Sequence, residues 1–126
     1  MSQTIVSEFR LKLYSKDFAA MRKFYKETLG FAVLNEWDRG ETDQGVMFQV
    51  GSAVLEVLTP ESAYQPIVGS GLSLEVPDVR ELWEQLKDQA PVVFELRDNL
   101  WGDTSFCITD PEGFEITFFE KIEPSA

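Results

Sequence analysis

The segment Leu11-Lys12-Leu13-Tyr14-Ser15-Lys16-Asp17 and the segment Leu72-Ser73-Leu74-Glu75-Val76-Pro77-Asp78 share the pattern L-x-L-x-x-x-D at an offset of 61 residues. A repeat of this length means one supersecondary unit used twice, which restricts the possible folds more than any composition figure does. In each copy alternating apolar residues mark a strand with one buried face, and the closing Asp is a helix N-cap. Asp78 also has Glu81 at the capping-box spacing. After Asp17 the apolar residues Phe18, Met21, Tyr25 and Leu29 recur at helical steps, with Gly30 as the stop. After Asp78 come Val79, Leu82, Leu86 and Ala90 in the same phase, with Pro91 as the stop.

Strand-like runs follow each helix: Phe31–Trp37, Val46–Val50 and Ala53–Leu58 in the first half, then Val92–Leu96, Thr104–Thr109 and Glu115–Glu120 in the second. Gly51-Ser52 and Asp110-Pro111-Glu112-Gly113 read as hairpin turns, the second longer by two residues, which puts the offset at 59 before the turn and 61 after it. The expectation is a single α+β domain of two βαβββ modules, about 5–58 and 71–122, joined by the linker Thr59–Ser70. Neither half can bury its sheet alone at about 60 residues, so the sheets are expected to close on each other or on a partner chain.

At 126 residues with 44% apolar content the chain can bury a core. Cys107 is the single cysteine, which excludes a disulfide framework, a paired-cysteine metal knuckle and a C-x-x-C redox motif. In the run Phe106-Cys107-Ile108 it reads as a small buried hydrophobe ahead of a catalytic thiol. Met1-Ser2-Gln3-Thr4 lacks a signal-peptide start and no apolar run spans a bilayer, so the expected location is cytoplasmic. With 11 basic against 22 acidic residues, the charge of −11 opposes nucleic acid and anionic lipid and favours cationic ligands or plain solubility.

The two modules, the capped helix with Phe24-Tyr25 and Leu29-Gly30-Phe31, and the Asp110-Pro111-Glu112-Gly113 turn resemble the vicinal oxygen chelate superfamily. That group comprises glyoxalases, extradiol dioxygenases, fosfomycin-inactivating enzymes and bleomycin-resistance proteins. The resemblance implies a curved mixed sheet or half-barrel around a cavity, and pairing as a homodimer, with or without exchange of modules. It also implies a divalent metal held by His, Glu or Gln from the first and last strands of each module. One ligand normally stands seven residues before the capping Asp, which falls here on Arg10 and Gly71. The other normally lies mid-way along the last strand, which falls on Glu56 and Thr117. Only Glu56 is a ligand type, the sequence holds no histidine, and a guanidinium repels a cation, so no metal or other cofactor is expected. Arg10 and Glu56 are expected to form a bidentate ion pair where the metal would sit.

Strand parity assigns Arg10, Lys12 and Tyr14 to the cavity face, together with Ser73, Glu75, Glu115, Thr117 and Phe119. Trp37 and Trp101, in loop-like contexts beside acids, suit stacking on a flat or cationic ligand, with ordinary packing as the plainer alternative. Trp83 reads as packing or interface. Without histidine, general-base work falls to a carboxylate or a tyrosine, and Glu56 is the residue nominated for it. The leading expectation is a metal-independent small-molecule binding protein similar to the bleomycin-resistance branch, sequestering a cationic or aromatic antibiotic-like ligand. The alternatives are a glyoxalase- or dioxygenase-like enzyme with an atypical metal site, and a cofactorless enzyme using Glu56 as base.

Overall fold

The computed structural model describes residues 5–60 and 63–122, so residues 1–4, 61–62 and 123–126 lie outside it. The chain divides into two compact units, Met1–Gln65 and Pro66–Ala126. Each unit carries one βαβββ module, and the eight strands form two four-stranded mixed sheets, one per module.

In the first module the strands are β1 (Arg10–Tyr14), β2 (Ala32–Asp38), β3 (Gln44–Val50) and β4 (Ala53–Leu58). They are ordered β1-β4-β3-β2, with β1 parallel to β4 and the other pairs antiparallel. Helix α1 (Phe18–Lys23) is capped by Asp17, whose Oδ1 accepts the Ala20 N–H at 3.1 Å. The sequence periodicity predicts one α-helix to Leu29. Instead the chain widens after Lys23 into a π-helical turn, Phe24–Thr28, closed by Leu29 N–H to the Phe24 carbonyl five residues back at 2.9 Å. The cause is packing. Adjacent residues of an α-helix point about 100° apart, yet here Phe24 and Tyr25 are both buried, edge to face at 5.1 Å. Tyr25 then stacks on Phe31 at 6.0 Å and meets Phe48 at 6.1 Å, which anchors the helix to the sheet. Gly30, at φ 72°, makes the left-handed exit.

The second module repeats the plan with β5 (Gly71–Glu75), α2 (Val79–Leu86), β6 (Val92–Asn99), β7 (Asp103–Thr109) and β8 (Glu115–Lys121), ordered β5-β8-β7-β6. Asp78 Oδ1 accepts the Glu81 N–H at 3.1 Å, and Glu120 Oε1 accepts the Val79 N–H at 3.0 Å, so two carboxylates hold the start of α2. Helix α2 ends at Leu86, leaving Ala90 outside it and Pro91 as the start of β6's approach rather than the stop. Trp83 packs its ring on Phe106 at 5.1 Å, and Phe106 meets Phe118 at 5.3 Å.

The β7–β8 turn is built by Asp110, whose Oδ1 accepts the N–H groups of Glu112 at 2.9 Å and Phe114 at 3.1 Å. Gly113, at φ 89°, completes it. The ladders correct the expected offset of 59 before this turn. Gln49 faces Val54 and Thr109 faces Glu115, which places Thr109 at the position of Gln49, an offset of 60. The second turn is therefore longer by one residue: residues 110–114 stand between Thr109 and Glu115, where residues 50–53 stand between Gln49 and Val54.

Candidate functional site

Exposure alternates along β1 and β5 as the parity argument requires. Leu13 is buried while Arg10, Lys12 and Tyr14 are exposed, and Gly71, Ser73 and Glu75 are exposed between half-buried Leu72 and Leu74. On β8, Ile116 and Phe118 are buried beside half-buried Thr117 and Phe119. Residues opposite one another in a ladder share a face. The non-helix face of the first sheet thus carries a row Lys12–Glu56–Met47–Asn35 and a row Tyr14–Leu58–Gly45–Trp37. The matching rows of the second sheet are Ser73–Thr117–Cys107–Phe94 and Glu75–Phe119–Ser105–Arg97.

In the first module Arg10 and Glu56 meet, though not bidentately. Arg10 Nη1 lies 3.6 Å from Glu56 Oε1, an ion pair longer than a good hydrogen bond, while Arg10 Nε donates to Glu8 Oε2 at 3.0 Å. Glu8, two residues upstream, is the stronger partner, and with Glu56 it raises the guanidinium pKa further. Glu56 is only 8% exposed, so its carboxylate sits in the wall of the sheet with a permanent cation beside it. Trp37 lies one residue inside the end of β2, as the strand-like run Phe31–Trp37 implies. Its indole covers Gly45, where any Cβ would collide with the six-membered ring, and its N–H donates to Asp43 Oδ1 at 3.2 Å. Arg39 closes the group, 3.1 Å from Asp43 Oδ2 and 5.9 Å over the indole. Tyr14 and Trp37 line a hollow of about 560 Å³ with Leu58, Thr59 and Pro60.

In the second module Ser73, Thr117, Phe119 and Trp101 line one open concavity of about 400 Å³. Phe94, Asp103 and Ser105 complete it and were not among the residues expected from the sequence. Asp103 and Ser105 could have been found by extending parity along β7 from buried Phe106. Phe94 could not, because β6 shifts register between Val92 and Phe94 and again before Arg97. Trp101 stands in the turn between β6 and β7, 73% exposed, with its indole N–H donating to Asp103 Oδ2 at 3.1 Å. Glu75 and Glu115 are not in the concavity: Glu75 pairs with Lys121 at 3.8 Å, and Glu115 lies opposite Gly71. Cys107 is fully buried, and burial pushes its thiol pKa up, against an activated nucleophile.

The metal positions can be tested against this geometry. In the first module the one ligand-type side chain, Glu56, has a guanidinium at 3.6 Å where a cation would need to bind. In the second, a Cβ at Gly71 would lie 2.7 Å from the Glu115 carbonyl oxygen, so the paired strands leave no room for a ligand side chain there. Thr117 offers a hydroxyl only. Among the described residues no three of His, Cys, Asp and Glu gather as a metal site, and these residues do not fit the superfamily's ion.

The profile of the Glyoxalase/Bleomycin resistance protein/Dioxygenase superfamily matches residues 8–118. The chain belongs to this superfamily. A search of curated proteins finds no match. Solved structures share the fold. TioX from Micromonospora sp. ML1 is 20% identical with a TM-score of 0.74, covering 93% of this chain and 100% of that one. Lactoylglutathione lyase from Agrobacterium tumefaciens is 22% identical with a TM-score of 0.68, covering 90% and 92%. A glyoxalase family protein from Enterococcus faecalis is 26% identical with a TM-score of 0.67, covering 91% and 96%. The glyoxalase-superfamily scaffold is therefore common to proteins with and without an enzyme's name, and the side chains must decide function. No helix among the described residues is long and apolar enough to cross a membrane.

Proposed function

We propose that the chain is a metal-independent small-molecule binding protein whose second module holds a flat aromatic ligand. The observation that carries this is the concavity walled by Phe94, Trp101 and Phe119 and floored by the hydroxyls of Ser73, Ser105 and Thr117. Its volume of about 400 Å³ falls in the usual range for ligand sites, and apolar walls with a few placed polar groups are their usual chemistry. Of the two ligand characters expected from the sequence, aromatic has the better support. The acids beside the tryptophans, Asp43 and Asp103, already accept the indole N–H groups and a second donor each, Arg39 and Asn99. Sequestration of an antibiotic-like molecule by a cytoplasmic homodimer is the form this function takes in the resembling branch, and it is part of the proposal.

The enzyme readings have less behind them. The lactoylglutathione lyase likeness is one of fold, and of the four ligand positions only Glu56 has a suitable type.

The test is calorimetric titration with 2-naphthamide in buffer containing EDTA. At roughly 0.3–0.5 kcal/mol per heavy atom a Kd of about 0.1 mM is expected, unchanged by EDTA. Thr117→Trp should fill the concavity and abolish binding, with Trp37→Ala in the other module as the control that retains it. Binding that needs added metal, or that survives Thr117→Trp, contradicts the proposal.

A further inference from the structure

The chain has five arginines set among 22 acidic residues. Four of them, Arg10, Arg22, Arg39 and Arg80, form ion pairs with carboxylates. Among the described residues Arg97 has no carboxylate partner. Its sequence neighbour Asp98 points to the helix side of the sheet, where it takes Arg80 Nη2 at 3.0 Å.

Arg97 is held instead by neutral contacts. Its guanidinium lies 3.8 Å from the centre of the Phe94 ring, and its Nε–H donates to Asn99 Oδ1 at 3.1 Å. Asn99 Nδ2 in turn donates to Asp103 Oδ1 and to Ser105 Oγ, both at 2.8 Å. Trp101 donates to the other oxygen of Asp103. One connected network thus fixes the guanidinium and the indole together. It consumes the Nε–H and the flat face of Arg97 while leaving its terminal N–H groups without a partner among the described residues. Arg97 lies opposite Ser105 in the ladder, on the face of the concavity, and Phe94 beneath it is part of the wall.

We infer that Arg97 receives the carboxylate of an aromatic acid whose ring lies against Trp101 and Phe119. A planar guanidinium pre-oriented by a stack and a hydrogen bond is suited to bidentate carboxylate recognition. One such cation balances a monoanion. A dianionic phosphate would leave a charge facing Asp103 within a chain of net charge −11. This assignment rests on the aromatic-ligand proposal above and narrows its ligand class.

The test compares 2-naphthoate, 2-naphthamide and 2-naphthylmethylammonium by titration calorimetry at one pH and salt concentration. Naphthoate is expected to bind about tenfold or more tightly than naphthamide, as a charge-assisted hydrogen bond adds to the ring contact. Arg97→Gln should bring that ratio to about one, and Phe94→Leu should reduce it by loosening the guanidinium. Arg80→Gln, which removes the same charge from the helix side, should retain the preference. Thermal unfolding of each variant verifies that it is folded. A wild-type ratio of one or less, tighter binding of the ammonium, or a ratio that survives Arg97→Gln overturns the inference. Naphthamide binding with no preference for naphthoate sinks this assignment alone, whereas no binding of any probe sinks the aromatic site as well.

Discussion

Replacing Phe106 by alanine is expected to lower stability by about 3–5 kcal/mol, the usual cost of emptying a large aromatic site in a packed core. Phe106 is fully buried at the centre of the second module. Its ring lies 5.1 Å from Trp83 on α2 and 5.3 Å from Phe118 on β8, so one side chain joins helix to sheet. The loss has two parts, the transfer of the ring to water and the cavity left between Trp83 and Phe118. At a few degrees per kcal/mol for a chain of this size, Tm should fall by about 10–20 °C. Urea unfolding followed by circular dichroism measures it, and Trp83 emission should shift at the same time. Phe106→Leu, which keeps most of the volume, should cost under half as much. A loss below about 1 kcal/mol for the alanine variant would mean that Phe106 does not join these elements.

The second large effect is expected at Gly71, where histidine would restore the ligand type usual in the superfamily. The new Cβ would stand 2.7 Å from the Glu115 carbonyl oxygen and 3.2 Å from its Cβ. The first obstacle is backbone in a parallel ladder, which cannot swing aside as a side chain can. The cost should therefore lie at the upper end of about 1–3 kcal/mol for overpacking. Gly71→Ala should show most of this loss, since the clash begins at Cβ. Zinc should not recover it, because Thr117 and Glu115 supply no tetrahedral set with one histidine. Thermal unfolding of both variants with and without zinc decides the matter. A Gly71→His protein as stable as wild type, or rescued by zinc, would show that the site is open to a metal after all.

These two positions also show what the sequence revealed and what it hid. Leu13, Ile116 and Phe118 fell on the buried face because strand parity is local, and Asp17 and Asp78 capped their helices because an N-cap needs only its own side chain and the N–H three residues on. The π-turn at Phe24–Thr28 was hidden because helical periodicity assumes a constant 3.6 residues per turn, and here two adjacent rings are both buried. The one-residue turn difference was hidden because Asp110 builds a wider turn than the Gly51-Ser52 hairpin, and the pairing register depends on that geometry.

The candidate site was half legible. Ser73, Thr117, Phe119 and Trp101 were found from parity and loop context, whereas Phe94 lies past a register shift. Glu8 was missed as the closer partner of Arg10 because it precedes the recognisable strand. Trp37 was read at the end of a strand, next to a loop, and the seat that Gly45 gives its indole by lacking a Cβ was not legible in the sequence.

The central claim is that this superfamily scaffold has exchanged its metal chemistry for metal-independent binding. The most direct test is elemental analysis of protein purified without chelators, paired with a thermal-shift screen of divalent ions. The account predicts substoichiometric Zn, Fe, Mn and Ni and no ion-specific rise in Tm. Stoichiometric metal, or marked stabilisation by any one of these ions, would contradict it.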